Sequence, residues 1–248
     1  MDLHQGFHDP SRTPAGELVR FLEAADRLPG FVPVRDALRD ALDPRPGMRL
    51  LDAGCGIGLE AVRLAEEFPE MHVTGLDRNA ELLGIARERS AEVEWVQADL
   101  ADVDGPFDAV RTERVLMYAD DLGGAVDALV RALAPGGRLG CFELDYGATI
   151  LTGDGPVVER ASEALCDSLA QPQAGRMLPG LLTERGLAEV EATPFAFSPT
   201  AFVWRKIVGD TLCSLDDEID EWLRDRDEAA TRGEFVASFT GVLTTASR

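Results

Sequence analysis

Lysine is almost missing from this chain. Lys206 stands alone among 248 residues, and every other basic side chain is arginine. Histidine occurs three times and cysteine four. Cys55, Cys141, Cys166 and Cys213 show no paired spacing, so neither a zinc site nor a disulfide framework is expected, and no metal is assigned. Cys55 and Cys141 fall in segments that read as core, where cysteine behaves as a small hydrophobe. There is no apolar run of 18 residues and no charged-then-apolar leader at the start. A membrane span and a secretory leader are therefore not expected, and free thiols point to a cytoplasmic protein. Basic charge is also short: 24 basic residues face 45 acidic ones, for a net charge of −21. A field of that sign repels phosphate backbones, so nucleic acid is not expected as a partner. It favours a cationic ligand, although most of the excess is ordinary solvated surface.

What is present is a sheet-forming core. Hydrophobic residues make up 45% of the chain, enough for one large domain or a core with a cap. The most informative stretch is Arg49-Leu-Leu-Asp-Ala-Gly-Cys-Gly-Ile-Gly58. An apolar run ends at Asp52, three alternating glycines follow, and Leu59–Phe68 then has helical apolar spacing. The glycines thus occupy a strand-to-helix turn, where backbone can approach a ligand and the next helix offers free N–H groups. A nicotinamide or flavin enzyme has such a turn too. Here, however, the place of that fingerprint's last glycine holds Leu59. Carboxylates also end the next two predicted strands: Asp77 after His72–Leu76, and Asp99 after Val93–Ala98. Strands near 48–53, 72–77, 93–99, 107–112 and 137–144 alternate with helices near 57–68, 79–90 and 122–133, which predicts a parallel sheet covered on both faces. Thr13 and Pro14 read as the start of a helix over 14–28, and Val34–Leu42 as a second helix. Beyond 144, helices are expected over 154–169, 175–185, 199–215 and 216–230, with strands over 188–197 and 235–246.

In order, LLDAGCGIG, GLDRN, VQADLAD, FDAVRTERVLMYADD and LAPGGRLGCFEL cover about 48–144. This series resembles the class I S-adenosylmethionine-dependent methyltransferases. Gly175-Arg-Met-Leu-Pro179 is similar to an element of actinobacterial small-molecule members. The resemblance implies an α/β, Rossmann-like sheet of seven mostly parallel strands with an antiparallel last strand, helices on both faces and a helical cap. Residues 1–47 would be an N-terminal helical lid, and 48–248 the catalytic domain with cap insertions near 145–187 and 199–234.

It also implies a site for S-adenosylmethionine. The turn of Asp52, Gly54, Cys55, Gly56 and Gly58 would pass under the amino-acid end of the cofactor. Asp77 would accept both ribose hydroxyls, with Arg78 bordering the adenine. Asp99 and Leu100 would meet the adenine, and Glu113 and Arg114 would face the reactive end. Bland readings stand beside these: Asp52 as a turn cap, Glu113 paired with Arg114, Asp99 as a solvated loop residue.

Methyl transfer needs alignment and exclusion of water more than a nucleophilic triad. A base is the remaining requirement. His72 begins a core strand far from the ligand edge. His4 and His8 lie in the lid, and either could be a base. The catalytic candidates are His8, Tyr118, Glu143 and Tyr146. Tyr146, Arg176, Met177, Phe202 and Trp204 are the expected substrate contacts, in an apolar pocket suited to a small organic molecule. The expected function is methyl transfer to an O, N or C nucleophile of such a molecule, in secondary metabolism, by a monomer or homodimer. The alternative is an enzyme of the same fold that keeps the cofactor but catalyses a non-methylating cyclisation or rearrangement.

Overall fold

The computed structural model describes residues 3–9 and 12–248. Three helices come first: α1 (Leu3–His8), α2 (Ala15–Asp26) and α3 (Phe31–Leu42). The alternating core follows as β1 (Arg49–Ala53), α4 (Leu59–Glu67), β2 (His72–Asp77), α5 (Ala80–Arg89), β3 (Glu94–Gln97), β4 (Phe107–Glu113), α6 (Leu122–Ala132) and β5 (Leu133–Leu151). Helices α7 (Pro156–Asp167) and α8 (Ala174–Glu184) lead to β6 (Ala188–Phe197). A short helix α9 (Ala201–Trp204) runs through a π-helical stretch (Arg205–Gly209) into α10 (Asp210–Leu212). Helix α11 (Asp217–Thr231) and strand β7 (Ala237–Ser247) complete the chain.

Among the described residues the sheet has seven strands in the order β3-β2-β1-β4-β5-β7-β6. Only β7 runs antiparallel to its neighbours β5 and β6. This is the Rossmann-like arrangement expected from the sequence. Strand β1 is central, with Leu50, Leu51 and Ala53 fully buried. The chain moves from β1 outward to β2 and β3, then returns to β4 on the other side of β1. Strand order therefore reverses at β1 and β4, and the carboxyl ends of those strands open a crevice.

Local rules account for most boundaries. Asn79 caps α5 as expected, its side-chain oxygen accepting from the N–H groups of Glu81 at 3.0 Å and Leu82 at 3.2 Å. Helix α2 starts one residue later than expected. Pro14 has extended backbone (φ −55°, ψ 133°) and is itself the cap, while Thr13 makes no capping bond. Strand β5 is much longer than the expected 137–144. Strand β7 supplies ladder partners out to Leu151, after an irregular register between Asp145 and Ile150. The segment expected to open a helical cap at 145 therefore begins as sheet. Tyr146 sits in the irregular stretch, its N–H donating to Pro172 O at 2.8 Å.

The N-terminal helices and the α9–α10 segment cover one end of the sheet together. Phe31 of α3 packs on Phe197 with ring centroids 4.6 Å apart, and edge-on against Phe142. Lys206 joins the two parts, its ammonium 3.2 Å from Glu17 of α2 and 2.8 Å from Asp210.

A buried ion pair ties β1 to β4 at the crevice. Arg111 is the register partner of Asp52, and its Nη1 donates to Asp52 Oδ1 at 2.7 Å. Its Nη2 donates to Glu113 Oε2 at 2.8 Å. All three side chains are removed from water, so the charges are worth keeping only together. Replacing Arg111 by Met leaves the buried Asp52 carboxylate uncompensated and Glu113 with Arg114 alone. The expected loss of folding stability in urea denaturation is about 3–5 kcal/mol. A loss below about 1 kcal/mol would mean that the carboxyls protonate instead of remaining buried and charged.

Candidate active site

A cavity of about 570 Å³ opens at the strand-order reversal. Of the expected site residues, Gly54, Gly56, Asp77, Arg78, Asp99, Leu100, Glu113, Arg114, Tyr118 and Tyr146 line it. One lobe is polar and comes from the ends of β1, β2 and β3. The other is apolar, with Phe7, Phe21, Leu22 and Phe31 from the N-terminal helices and Val203 and Ile207 from the α9–α10 segment.

The glycine turn has the left-handed backbone that its residue type predicts. Gly54 has φ +79° and Gly56 φ +55°. A Cβ on Gly54 would collide with Val115, so turn and β4 loop pack with no space between them. A Cβ on Gly56 would meet only Leu22, at 3.4 Å, so this glycine leaves room on the cavity side. Asp77 holds the turn from β2: its Oδ2 accepts from Gly56 N at 2.8 Å and its Oδ1 from Asn79 N at 2.8 Å. Burial raises the Asp77 carboxyl, opposed by those two N–H donors. Asp99 is exposed on the wall and accepts from Ala101 N at 3.0 Å. Arg78 lines the same cavity and reaches across to α1, donating to Phe7 O at 2.7 Å.

Several expected residues are elsewhere. Asp52 is buried beneath the turn in the Arg111 pair, where burial pushes its carboxyl up to about 6 against that guanidinium. It is not on the cavity wall; the turn-supporting reading is the one its position fits. Cys55 also lies off the wall, its thiol pushed up by burial and the nearby Asp52 and Asp77. Gly58 faces Trp95, with which a Cβ would collide, so its glycine serves helix packing. The side chain of His8 lies outside the described residues.

Glu143 is fully buried and is not a proton-transfer group at the pocket. Its Oε1 accepts from the N–H groups of Val115 and Leu116, each at 2.9 Å, and Oε2 from Met117 at 3.3 Å. The carboxyl anchors the turn after β4. Arg114 in that turn has φ +57°, with its guanidinium 4.6 Å from the Phe31 ring centroid and 3.1 Å from Glu113. Burial raises Glu113, but Arg114 and Arg111 outweigh it and hold the carboxyl below its usual value.

The substrate contacts expected from the distal segments are displaced. Arg176 is clamped on Asp145, Nη2 donating to Oδ1 at 2.9 Å, and Met177 is exposed. Helix α8 packs so closely on β5 that a Cβ on Gly175 would strike Glu143 O, which turns this motif away from the cavity. On α9, Phe202 points outward and Trp204 packs into the core against Trp222. Their neighbours Val203 and Ile207 reach the wall instead. One helical residue is a rotation of about 100°, so naming the largest side chains chose the wrong face.

His4 was visible as a candidate base without anything to rank it. In the fold it is buried on the cavity wall between Tyr118 and Tyr146. The scarcity of tyrosine, two in the whole chain, was the available signal.

A family model described as a methyltransferase domain matches residues 50–137. An uncharacterised 37.1 kDa protein in transposon TN4556 of Streptomyces fradiae is 33% identical over 64% of this chain and 49% of its own length. In general the chain spans about half the length of the curated relatives it matches. Among solved structures, the phosphoethanolamine N-methyltransferase 2 of Haemonchus contortus, in complex with S-adenosylmethionine, has a TM-score of 0.59 at 17% identity, over 88% of this chain and 52% of that one. The (4+2)-cyclase SpnF has the same TM-score at 20% identity, over 87% and 80%. The strand order and the glycine turn agree with these matches, and together they support the resemblance to the class I S-adenosylmethionine-dependent methyltransferases drawn from the sequence. Among the described residues no helix is long and apolar enough to cross a membrane.

The role of Glu143 has a pH signature. Burial raises its carboxyl from 4.5 to about 7, against the three N–H groups it accepts. The native state thus binds this proton more tightly than the unfolded chain. The stability it contributes is complete below about 4.5 and is lost as pH rises through about 7. In urea denaturation, wild type should lose its advantage over Glu143→Gln across that window, by on the order of 3 kcal/mol. A difference independent of pH would mean that Glu143 keeps its ordinary acidity.

Proposed function

We propose that the polar lobe binds S-adenosylmethionine and that the chain transfers its methyl group to an O, N or C nucleophile of a small, largely apolar molecule. The observation that carries this reading is one cavity with both requirements on its walls. The glycine turn and the carboxylates of Asp77 and Asp99 stand at one end, and apolar side chains at the other. Asp77 fits a ribose: each oxygen spends one acceptor site on a backbone N–H and keeps another for a hydroxyl. The open side of Gly56 leaves room for a ligand against backbone. The cofactor supplies a methyl carbon activated by the sulfonium. The chain supplies alignment and, through Phe7, Phe21 and Phe31, a wall that excludes water.

Secondary metabolism is the setting that an apolar acceptor and the actinobacterial resemblance favour. The non-methylating alternative shares the fold, since a methyltransferase and a cyclase resemble this chain equally. Release of S-adenosylhomocysteine separates the two, because only methyl transfer makes it.

Calorimetric titration with S-adenosylmethionine tests the reading directly. Binding is expected, with none of NAD. Asp77→Ala should weaken it by on the order of 2–3 kcal/mol while the protein stays folded. No heat from S-adenosylmethionine would overturn the proposal, and unchanged affinity in Asp77→Ala would overturn the ribose placement.

A further inference from the structure

Both tyrosines of the chain meet one imidazole. His4 Nδ1 lies 3.2 Å from the Tyr118 hydroxyl, and His4 Nε2 lies 3.4 Å from the Tyr146 hydroxyl. The three side chains come from α1, the turn after β4 and the irregular stretch of β5, and all line the cavity. His4 and Tyr146 are buried; Tyr118 is half-buried. A neutral imidazole has one donor and one acceptor nitrogen. One tyrosine therefore donates to His4 and the other accepts from it, so the unit has a direction. Phe7 packs on Tyr118 with ring centroids 5.4 Å apart, and Leu144, Val203 and Ile207 line the same cavity, as do Asp120 and Asp121.

We infer that Tyr118, His4 and Tyr146 form a proton-accepting relay, and that the acceptor at this site is a phenolic or enolic hydroxyl on an otherwise apolar molecule. The inference rests on the methyl-transfer reading above. Tyr118, the more open of the two tyrosines, faces the acceptor. The acceptor oxygen forms its bond to the methyl carbon as the carbon–sulfur bond breaks, and that electron pair stays on sulfur as a neutral thioether. The acceptor proton passes to the Tyr118 oxygen while the Tyr118 proton passes to His4. The positive charge that leaves sulfur ends on the imidazolium, stabilised by Tyr146. Tyr118 is left neutral, its O–H donating to the new ether. Phenols and enols match tyrosine in acidity, so this exchange is nearly level; an aliphatic alcohol is far too weak an acid. A neutral amine can attack before it loses a proton and has no need of the relay.

The test uses the full chain with 4-methylphenol, toluene and 4-methylaniline as probes. S-adenosylhomocysteine is titrated first; absence of binding overturns the methyl-transfer reading before any phenol is added. With it bound, 4-methylphenol should bind at least about tenfold more tightly than toluene. Tyr118→Phe and His4→Phe should abolish that preference, Tyr146→Phe should reduce it, and His4→Gln should keep part of it. The two Tyr→Phe variants each remove one oxygen, and thermal unfolding reports whether each variant folds. With S-adenosylmethionine, wild type should form 4-methylanisole in preference to methylated 4-methylaniline, and Tyr118→Phe should lose that preference. Equal binding of the probes, no binding of 4-methylphenol, or a preference that survives Tyr118→Phe overturns the relay. Phenol preference without 4-methylanisole overturns its role as a base, and methylation of the aniline in place of the phenol overturns the acceptor class.

Discussion

Arg111 stands between two carboxylates in a layer of the sheet closed to water. Asp52 comes just before the glycine turn, and Glu113 just before the turn that carries Arg114. One guanidinium thus fixes both lips of the crevice, and both must stay in register with it for the charges to remain compensated. Glu143 does the same work from β5, gathering the N–H groups of Val115, Leu116 and Met117 that no helix or strand satisfies. Arg114 then sits in left-handed backbone, a strained conformation for a side chain of its size. It is held by its N–H bond to Phe142 O at 2.8 Å and its place over Phe31. The buried charges of Asp52, Arg111 and Glu143 are spent on shaping the crevice.

That economy divides the site. The polar lobe is built from strand ends, which the sheet holds rigidly. The apolar lobe is built from α1, α2, α3 and the α9–α10 segment, held by aromatic contacts such as Phe31 on Phe197 and by the Lys206 bridge. Arg78 joins the lobes by reaching from the end of β2 to the backbone of α1. Helix α1 is thereby part of both: its backbone meets the arginine and its His4 meets the tyrosines. The proposed cofactor and acceptor functions are coupled through this short helix.

The core elements were legible because their signals are local. Apolar spacing, Asn79 as a cap and glycines before a helix each report on a few adjacent residues. The long β5 was not, because its extension past Leu144 depends on ladder bonds to β7, about a hundred residues away in the chain. Phe202 and Trp204 were misplaced for a related reason. Their helix is short and enters a π-helical stretch, so spacing alone does not say which face turns inward. Glu143 looked like a pocket acid because it ends a predicted strand; the turn that consumes it comes from another strand.

The sequence by itself determined the sheet, the crevice at its reversal point, and the residues Gly54, Gly56, Asp77 and Asp99 on the polar wall, since period, turn chemistry and motif order are properties of neighbouring residues. Only the tertiary structure decided which polar groups are structural and which face the cavity. Asp52 and Glu143 were withdrawn into the core by partners on other strands. His4 was brought to Tyr118 and Tyr146 across 114 and 142 residues of chain. Contacts at that separation are fixed by packing of the N-terminal helices against the sheet, and no local pattern encodes them.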